Sequence, residues 1–576
     1  MERVTNEVFE DILAQVRKPG RYLGNEWNVI RKDFAAAQVK FAICFPDLYE
    51  VGMSNLGLRI IYGLLNSRPG LLCERAFLPD TDMREILRKS RIPLFSLESK
   101  AALREFDFVG FSVGYELNYT NVLGILDLAG IPLLARDRDE SFPLVIAGGS
   151  CVSNPEPLAD FIDLFLVGEA EEALPEIIEK YRGSRLSGSG SRAPKEDILR
   201  ELAKVGGVYV PSLYEVEYNE DGSVKKLSAR YPGIPLKVEK RIVKDLDSAY
   251  YPTEWLVPYV SIVHDRAAVE LMRGCPHRCN FCQARNIYHS LRLRSPEKVL
   301  ELAGAIIGST GYEEISLLGL SASDYPYLSK VVTSLSERFS AQAVGISLPS
   351  LRPKSYLGEL AGYLAKVRKA TLTFAPEAGS DRMRQAISKD FRVEELYEAV
   401  SAVYKAGWQA IKLYFMIGLP GEDYADLDAI LNVAEEVSNL RRKVARSRAM
   451  VRLSISFFVP KPHTAFEREP MDSAENLREK VCYLRKASRR LPRAITLNFH
   501  HLESSLLEAA FSRGNRTFGR VILTAYQKGC LCDGWQEHFR YERWLESFKE
   551  CGLSMEPYFG GRQKDEILPW SHINII

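Results

Sequence analysis

The stretch AAVELMRGCPHRCNFC, residues 267–282, joins a short apolar run to a loop that contains three cysteines. The apolar run is typical of a buried strand. The cysteines have the spacing C-x3-C-x2-C and are Cys275, Cys279 and Cys282. A closed structural zinc site needs a fourth ligand, which His277 or His289 could supply. Three thiolates by themselves suit a cubane [4Fe-4S] cluster, in which each thiolate binds one iron and the fourth iron stays open.

Five more strand-like runs follow this stretch, separated by segments long enough for helices. They are EISLLGLS, AVGISLPS, ATLTFAPEAG, AIKLYFMIGLPG and RLSISFFVP. Six strands that alternate with helices predict a partial (βα)6 barrel over residues 267–470. The chemistry of such a barrel is built on the loops that follow the strands, and the cysteine loop follows the first one.

The same alternation occurs earlier in the chain, over residues 39–181. Its strand-like runs are VKFAICFP, FDFVGFSVG, FPLVIAGGS and IDLFLVGEA. Each run closes in Pro or Gly and leads into a segment of helical length, as in βα units around a buried parallel sheet. A doubly wound sheet of this kind binds ligands at the carboxyl ends of its strands.

The remaining segments complete the predicted organisation. Residues 1–38 form an N-terminal extension, and residues 182–266 combine a Ser-, Gly- and Arg-rich linker with a β-hairpin around a Glu-Asp-Gly turn. Residues 471–576 are predicted to be mostly helical. The predicted fold class is therefore α/β, with a doubly wound parallel sheet, a partial (βα)6 barrel and a helical C-terminal region.

Composition narrows the classes of function. The 76 basic and 75 acidic residues nearly cancel, so no global field attracts nucleic acid or an anionic membrane. The charged N-terminus lacks the apolar core of a secretory signal, and no stretch of 18 apolar residues occurs, so we expect a cytoplasmic protein without a membrane span. The cysteines outside the loop are too dilute for a disulfide framework. We expect most of them to be small core residues: Cys44, Cys73, Cys151, Cys482 and Cys551.

The cysteine loop, with Phe281 directly before its last cysteine, strongly resembles that of the radical S-adenosylmethionine (SAM) superfamily. The resemblance implies a [4Fe-4S] cluster on Cys275, Cys279 and Cys282, with SAM chelated by the open iron. It also implies reductive cleavage of SAM to methionine and a 5′-deoxyadenosyl radical. A reducing partner such as a flavodoxin or ferredoxin would supply the electron.

Three later segments extend this resemblance. TFAPEAGSDRMRQAISK places Glu377 where the superfamily binds the SAM ribose, although an acid at a helix start is an alternative interpretation. YFMIGLPGED resembles the segment whose backbone supports adenine, with Gly418 and Gly421 permitting close approach. LLGLSASD stands where a Gly-Gly-Glu contact to the SAM amino group is usual, so Ser321 and Ser323 are the candidate replacements.

FFVPKPHTAFE resembles the Pro-x-Pro-His-Thr segment of the methylthiotransferase and cobalamin-linked branches of the superfamily. His463 of this segment either contacts SAM or substrate, or orders a proline-rich loop. Both interpretations remain open from the sequence.

The first α/β region resembles the cobalamin-binding domain that often precedes a radical SAM barrel. In that domain a D-x-H-x-x-G loop supplies the lower cobalt ligand, but here DLYEVG has Tyr49 in place of histidine. A histidine-ligated cobalamin is therefore excluded at this site. Either cobalamin binds without a lower histidine, cradled by Ser112 and the Gly148–Gly149 turn, or the fold is a cofactor-free platform for substrate or partner.

The resemblance as a whole is to radical SAM proteins with an N-terminal cobalamin-binding-like domain. It implies methylation or a related modification of an unreactive carbon in a macromolecule, with RNA or a ribosome-associated molecule as the candidate substrate. The basic stretches RNIYHSLRLR and LRRKVARSR are either contacts to such a substrate or solvated faces. The alternative function is a non-catalytic iron-sulfur or zinc scaffold.

Overall fold

A computed structural model describes residues 5–185, 193–349, 351–352 and 372–575. The centre of the predicted linker, residues 186–192, lies outside the described residues. The helix before it reaches Arg185, so the segment predicted to be linker from Arg182 is helical at its start.

The N-terminal sheet has six strands in the order β2-β1-β3-β4-β5-β6. They are β1 Val39–Phe45, β2 Leu71–Phe77, β3 Phe108–Ser112, β4 Leu144–Gly148, β5 Leu164–Leu166 and β6 Val208–Tyr209. The first five pair in parallel and β6 is antiparallel. The α/β fold with a parallel sheet is therefore confirmed for this region, with strands β2 and β6 in addition to the four predicted runs.

Helices flank this sheet in two pairs, α3 with α6 and α4 with α5. Right-handed crossovers from β1 to β2 and from β2 to β3 run in opposite directions along the sheet, which places α3 and α4 on opposite faces. The helices up to this point are α1 Asn6–Leu13, α2 Tyr49–Gly52, α3 Leu56–Asn66, α4 Thr81–Ser90, α5 Tyr119–Leu128 and α6 Ala170–Arg185. The strand order 2-1-3-4-5 reverses between β1 and β3, which is the position where such sheets bind ligands.

Between the two α/β regions, α7 Lys195–Leu202 is followed by the predicted hairpin. Its strands are β7 Tyr214–Tyr218 and β8 Val224–Ala229, which pair antiparallel. A further short strand, β9 Val238–Glu239, pairs with β19 Ile573–Asn574 near the end of the chain.

All six strands predicted for the second α/β region are present, and they form two parallel sheets. One sheet contains β10 Ala267–Glu270, β13 Glu314–Leu318 and β14 Gly345–Ser347. The other contains β15 Leu372–Glu377, β16 Ala410–Ile417, β17 Met450–Phe457 and β18 Ile495–Phe499. An isolated parallel bridge from Leu351 to Phe374 connects the segment after β14 with β15.

Helices lie between the strands of these two sheets along the chain. They are α8 Gln283–Ile287, α9 Pro296–Thr310, α10 Leu328–Phe339, α11 Asp381–Ala386, α12 Val393–Lys405, α13 Tyr424–Leu440 and α14 Arg442–Ala445. Helix α13 contacts β16, β17 and β18. Alternate residues of these strands, such as Ile411 and Leu413, enter the core beneath it.

The C-terminal region is helical as predicted, with one correction. Its helices are α15 Ala474–Ala487, α16 Leu502–Arg513, α17 Phe518–Gln527 and α18 Tyr541–Glu550. The segment Ile495–Phe499, predicted to belong to this helical region, is instead strand β18 at the edge of the second parallel sheet. Its alternation of apolar Ile, Leu and Phe with polar Thr and Asn buries one face only.

The loop after α17 covers the carboxyl ends of β1 and β3. Trp535 Nε1 donates to Asp47 Oδ1 at 2.9 Å, and the Cys532 backbone N–H donates to Asn121 Oδ1 at 2.7 Å. The C-terminal helices are therefore tied to the N-terminal sheet. Within the described part of the chain, no helix is long and apolar enough to cross a membrane.

The cysteines outside the loop divide by burial. Cys44, Cys73 and Cys151 are buried as expected, and so are Cys530 and Cys532 of the C-x-C segment. The remaining pair departs from the expectation of core positions: Cys551 is half-buried and Cys482 is exposed on α15. Cys482 is exposed because it lies on the side of the amphipathic helix that faces solvent.

Candidate functional site

The cysteine loop lies between two short antiparallel strands, β11 Met272–Arg273 and β12 Arg292–Leu293. The turn into the loop requires glycine, because Gly274 has φ +87° and a Cβ there would lie 2.8 Å from the Leu291 Cα. Helix α8 begins directly after Cys282. The short hairpin and the helix therefore hold both ends of the loop in place.

The three thiols lie close enough to influence one another. Burial raises the pKa of each, and neighbouring cysteines raise the pKa of Cys275 and Cys282 further. For Cys279, Lys389 and Arg352 act in the opposite direction and favour the thiolate. Thiolates are the form that binds iron. A positive region beside Cys279 therefore suits a cluster ligand.

Neither histidine considered as a fourth ligand is free beside the thiols. His277 Nε2 lies 2.7 Å from Asp324 Oδ2, and His289 is exposed at the end of the loop. Among the described residues, no three His, Cys, Asp or Glu side chains are close enough to hold one metal ion. In a cubane cluster each thiolate binds a different iron, so the three sulfur atoms need not converge on one ion.

Glu377 ends strand β15 and lies beside the cysteine loop. Its φ is +68°, and its Oε1 lies 3.3 Å from Lys389 Nζ. Burial raises the pKa of Glu377, while Lys389 acts in the opposite direction. The neighbouring helix α11 has Ser380 as its N-cap and Asp381 in its first turn, so Glu377 precedes the helix and does not serve as its first-turn acid.

Phe281 joins the cysteine loop to the strand ends. It packs against a small apolar cluster that includes Met416, Leu419 and Phe458. Backbone bonds reinforce this contact, since Asn280 N–H donates to the Ile387 carbonyl at 3.0 Å. Phe281 therefore positions the loop above β16 and β17.

The two serines predicted to replace the Gly-Gly-Glu contact are both engaged within the protein. Ser321 Oγ donates to Asp324 Oδ2 at 2.5 Å, and Ser323 Oγ accepts from the Arg352 backbone N–H at 2.9 Å. Asp324 is the carboxylate of this loop, held by both Ser321 and His277. Asp324 was not among the residues predicted from the sequence, although it ends the segment LLGLSASD.

Gly418 and Gly421 both have positive φ, at +80° and +77°. A Cβ on Gly418 would lie 2.7 Å from a Leu477 methyl, whereas a Cβ on Gly421 would meet no atom within 4 Å. The Gly418 N–H donates to Glu422 Oε2 at 2.7 Å. Gly418 therefore serves close packing against α15, and Gly421 lies on the open side of the turn.

His463 connects the second α/β region to the N-terminal sheet. Its Nε2 lies 2.9 Å from the Ser153 carbonyl, and its own carbonyl accepts from Asn286 Nδ2 of α8. Lys461 of the same segment forms ion pairs with Glu116 at 2.6 Å and Glu508 at 2.8 Å. These contacts are those of a residue that orders its loop, one of the two interpretations left open by the sequence.

A cavity of about 520 Å³ lies on the α3 face of the N-terminal sheet. Ser112, Gly148 and Gly149 line it, as do Arg273 and Tyr288 from the two flanks of the cysteine loop. Glycine is required at position 149, where φ is +107° and a Cβ would lie 2.5 Å from the Val113 carbonyl oxygen. The glycines at the strand ends thus leave open volume between the sheet and the cysteine loop.

Tyr49 does not line this cavity. It is buried, and its hydroxyl donates to Glu26 Oε1 at 2.8 Å. Glu26 in turn forms an ion pair with Arg75 at 2.8 Å. The side chain that replaces histidine is therefore part of a buried polar network and is not available to a cobalt ion.

Sequence comparisons place both α/β regions in known families. Residues 269–434 match the family described as Radical SAM superfamily, and residues 57–211 match the family described as Radical SAM proteins, N-terminal. An uncharacterized protein of Methanocaldococcus jannaschii is 28% identical over 515 residues, which cover 89% of this chain and 97% of that protein.

More distant relatives share parts of the chain. A tRNA-2-methylthio-N(6)-dimethylallyladenosine synthase of Chlorobium phaeobacteroides is 28% identical over 178 residues, 30% of this chain and 40% of that enzyme. The chain is also similar to the solved radical SAM methyltransferase TsrM from Kitasatospora setae with cobalamin and [4Fe-4S] cluster bound. That match has 14% identity and a TM-score of 0.49, and covers 75% of this chain and 77% of the other.

The two family matches together span more than half of the chain, and the match over residues 269–434 contains all three loop cysteines. A scaffold without catalysis, the alternative function drawn from the sequence, is not supported by these matches. The chain belongs to the radical SAM superfamily and is a radical SAM enzyme, which uses a [4Fe-4S] cluster and S-adenosylmethionine.

Proposed function

We propose that this enzyme modifies an unreactive carbon of an RNA, by methylation or a related transfer, at the carboxyl ends of strands β10 and β13–β18. The observation that carries the proposal is the convergence of the three thiols with Glu377 and Lys389 at one end of these strands. The relative named above as a tRNA-modifying synthase supports RNA as the class of substrate. A flavodoxin or ferredoxin in the cytoplasm would supply the electron.

The strands fit one partial barrel. The Leu351–Phe374 bridge lies between the sheet of β10, β13 and β14 and the sheet of β15–β18, and all neighbouring pairs within the two sheets are parallel. Catalytic groups of (βα) barrels lie on the loops after the strands. The cysteine loop follows β10, Asp324 follows β13 and Glu377 ends β15, as this architecture requires.

Each binding residue has a defined task in the proposal. Cys275, Cys279 and Cys282 hold the cluster, which when bound and reduced supplies the electron that cleaves the SAM sulfonium. Glu377 accepts the two ribose hydroxyls, and the backbone at Gly418 and Gly421 supports adenine. The last two partners of SAM are residues that sequence analysis did not select: Asp324 accepts from its amino group, and Lys389 pairs with its carboxylate.

The assignment of Asp324 predicts a difference from its serine neighbour. Asp324→Asn removes the charge that would attract the SAM ammonium, so we expect about tenfold weaker SAM binding or more. Ser321→Ala removes only a hydroxyl that supports Asp324, and we expect a loss of less than about threefold. Equilibrium binding of SAM to the reconstituted enzyme measures both. Equal losses in the two variants would contradict the assignment.

The sheet-face cavity fits the nucleotide tail of a cobalamin that lacks a protein histidine ligand. Its volume of about 520 Å³ lies in the range of small-molecule sites. The glycines at 110, 148 and 149 keep side chains out of it, and a Cβ on Gly110 would already lie 2.4 Å from the Phe41 ring. Ser112 offers the tail a hydroxyl at the end of β3. Tyr49 is bonded to Glu26 and would therefore supply no ligand to a bound cobalamin.

Filling the cavity tests this assignment. An added Cβ on Gly148 would meet no atom nearer than 3.7 Å, so Gly148→Leu can fold and extend its side chain into the open volume. We expect this variant to retain iron but to lose bound cobalamin, measured as cobalt per chain after reconstitution with hydroxocobalamin. Gly183→Leu is the control, because Gly183 on α6 has open space around it.

Two outcomes would count against cobalamin. If wild type retains no cobalt, the cofactor-free platform is the correct alternative. If Gly148→Leu retains as much cobalt as wild type, the tail does not enter this cavity.

A further inference from the structure

Strands β16, β17 and β18 align two polar rows on the face opposite helix α13. The first row contains Lys412, Arg452 and Thr496, which are register partners across the three strands. The second row contains Tyr414, Ser454 and Asn498. The alternate residues of the same strands are buried beneath α13, so both rows lie on the opposite face of the sheet, where Arg452 and Tyr414 are exposed and Ser454 is buried.

The first row places two positive charges side by side. Lys412 and Arg452 are direct partners on neighbouring strands, where like charges destabilise a sheet. Within the described part of the chain, neither forms an ion pair with a carboxylate. Lys412 Nζ donates to the Tyr414 hydroxyl at 2.9 Å, and Arg452 is exposed. An anion bound between the two side chains would remove the repulsion.

The second row adds an exposed aromatic ring. Tyr414 is 36% exposed and lies on the same strand as Lys412, two residues closer to the carboxyl end. Two residues of a strand correspond to about 7 Å between Cα atoms, comparable to the distance from a base to its own phosphate. The Lys412 Nζ lies over one face of the Tyr414 ring, 4.6 Å from its centroid, so a base would stack on the other face. Proteins that bind single-stranded nucleic acid combine cations for the backbone with aromatic rings for the bases.

The two rows follow one another along the strands in the direction of the cysteine loop. From Lys412 towards the carboxyl end of β16, the chain passes Tyr414 and then Phe415, which is the register partner of Glu377. A nucleotide with its phosphate at Lys412 and its base near Tyr414 would therefore extend towards the cysteine loop. An exposed carboxylate in either row would oppose this arrangement, and neither row contains one.

We propose that Lys412 and Arg452 bind a phosphate of the substrate and that Tyr414 stacks on the adjacent base. This inference rests on the proposed function and names the part of the substrate that is bound, one phosphate and its adjacent base. A free nucleotide has the same chemistry, and the experiment below distinguishes it from RNA. Phosphate fits better than a single carboxylate, because two cations match its charge and the Arg452 guanidinium can bond two of its oxygens.

Binding measured without reductant tests the site independently of SAM cleavage. The probes are a fluorescein-labelled single-stranded RNA of 12 nucleotides, followed by anisotropy, and AMP, followed by calorimetry. We expect Lys412→Gln/Arg452→Gln to bind RNA about tenfold more weakly and to lower the slope of log affinity against log salt by about 0.7 for each phosphate that the variant no longer neutralises. The matched control is Lys405→Gln/Lys443→Gln, which removes two exposed lysines from α12 and α14.

Variants at Tyr414 separate stacking from hydrogen bonding. Tyr414→Ala removes the ring and the hydroxyl, whereas Tyr414→Phe removes only the hydroxyl that accepts from Lys412. If the ring stacks on a base, the alanine variant weakens RNA binding about tenfold and the phenylalanine variant stays near wild type. Equal affinities for the two variants would show that the ring makes no contact with the base.

The remaining outcomes identify the source of the phosphate or overturn the site. RNA affinity that depends on the first row assigns an RNA substrate, and dependence seen only with AMP assigns a free nucleotide. If neither probe binds wild type, or if the control loses as much affinity as the double variant, the inference is wrong. Failure of the proposed function would appear separately, as a reduced enzyme that forms no 5′-deoxyadenosine.

Discussion

Replacing Cys282 with alanine is expected to abolish 5′-deoxyadenosine formation by the anaerobically reconstituted and reduced enzyme. The cluster needs all three thiolates of the loop, because its fourth iron must remain open for SAM. Beyond Cys275 and Cys279, the closest substitute ligand along the loop, His277, is paired with Asp324. We expect a loss of about three orders of magnitude or more, equivalent to about 4 kcal/mol of barrier.

Cys482→Ala provides the matched control for this experiment. Cys482 is an exposed cysteine on α15, outside the loop, and its replacement removes a thiol without touching the proposed site. We expect this variant to retain full activity and iron content. The assignment of the cluster fails if Cys282→Ala keeps the activity of wild type, or if wild type forms no product with an intact, reduced cluster.

The strands that sequence analysis identified share one property. Each contains apolar residues that enter a core: almost every residue is buried in β3, with its sequence FVGFS, and at least alternate residues are buried in β15, β16 and β17. Strand β2 was missed because LLCERAF has Glu74 and Arg75 at its centre, and their burial depends on partners elsewhere in the chain. Glu74 accepts from Ser96 and Ser99, whose hydroxyls lie at 2.5 and 2.6 Å. A pattern of hydrophobicity within one segment contains no information on such partners.

The residues of the candidate site also fall into two groups, those that a local motif identified and those that come from distant parts of the chain. Cys275, Cys279 and Cys282 lie within eight residues of one another, so their spacing alone identified them. Lys389 approaches Glu377 from the far side of helix α11, and Asp324 approaches His277 from the loop after the next strand of the sheet. These contacts arise only when parallel strands bring distant loops to one edge. Local motifs therefore identified the cluster ligands but not their charged neighbours.

The buried network at Tyr49 shows how this chain uses the side chain at the position where the resemblance leads us to expect histidine. The sequence revealed the missing histidine, but the partner of Tyr49 is Glu26, 23 residues earlier in the N-terminal extension. Glu26 is held by Arg75 on β2, which also pairs with Glu98 at 2.6 Å. Tyr49 is thus part of the core, and Arg75 is the counter-charge of two buried carboxylates beside it.

Arg75→Met is therefore expected to destabilise the protein strongly. Arg75 is fully buried, and its removal leaves Glu26 and Glu98 in the core without a counter-charge. Breaking a buried ion pair by deleting one partner costs about 3–5 kcal/mol. The loss would appear as a lower urea midpoint at pH 8. The triple variant Arg75→Met/Glu26→Gln/Glu98→Gln removes the uncompensated charges as well, so we expect it to recover most of the lost stability.

The pH dependence of the stability of Arg75→Met follows from the pKa of Glu26. Burial alone would raise this pKa, but Arg75 overcomes the effect and lowers it to about 2. In wild type the carboxylate therefore stabilises the fold above its unfolded pKa of about 4.3, and this contribution is lost as the pH falls towards 2.

Without Arg75 the pKa of Glu26 rises above its unfolded value, and the effect of pH on the stability of the fold changes sign. The folded variant then takes up a proton, and its stability falls as the pH rises above about 4.3. We expect the urea midpoints of wild type and Arg75→Met to lie closer together at pH 5 than at pH 8. A difference that is the same at both pH values would show that the carboxylates are not the source of the instability.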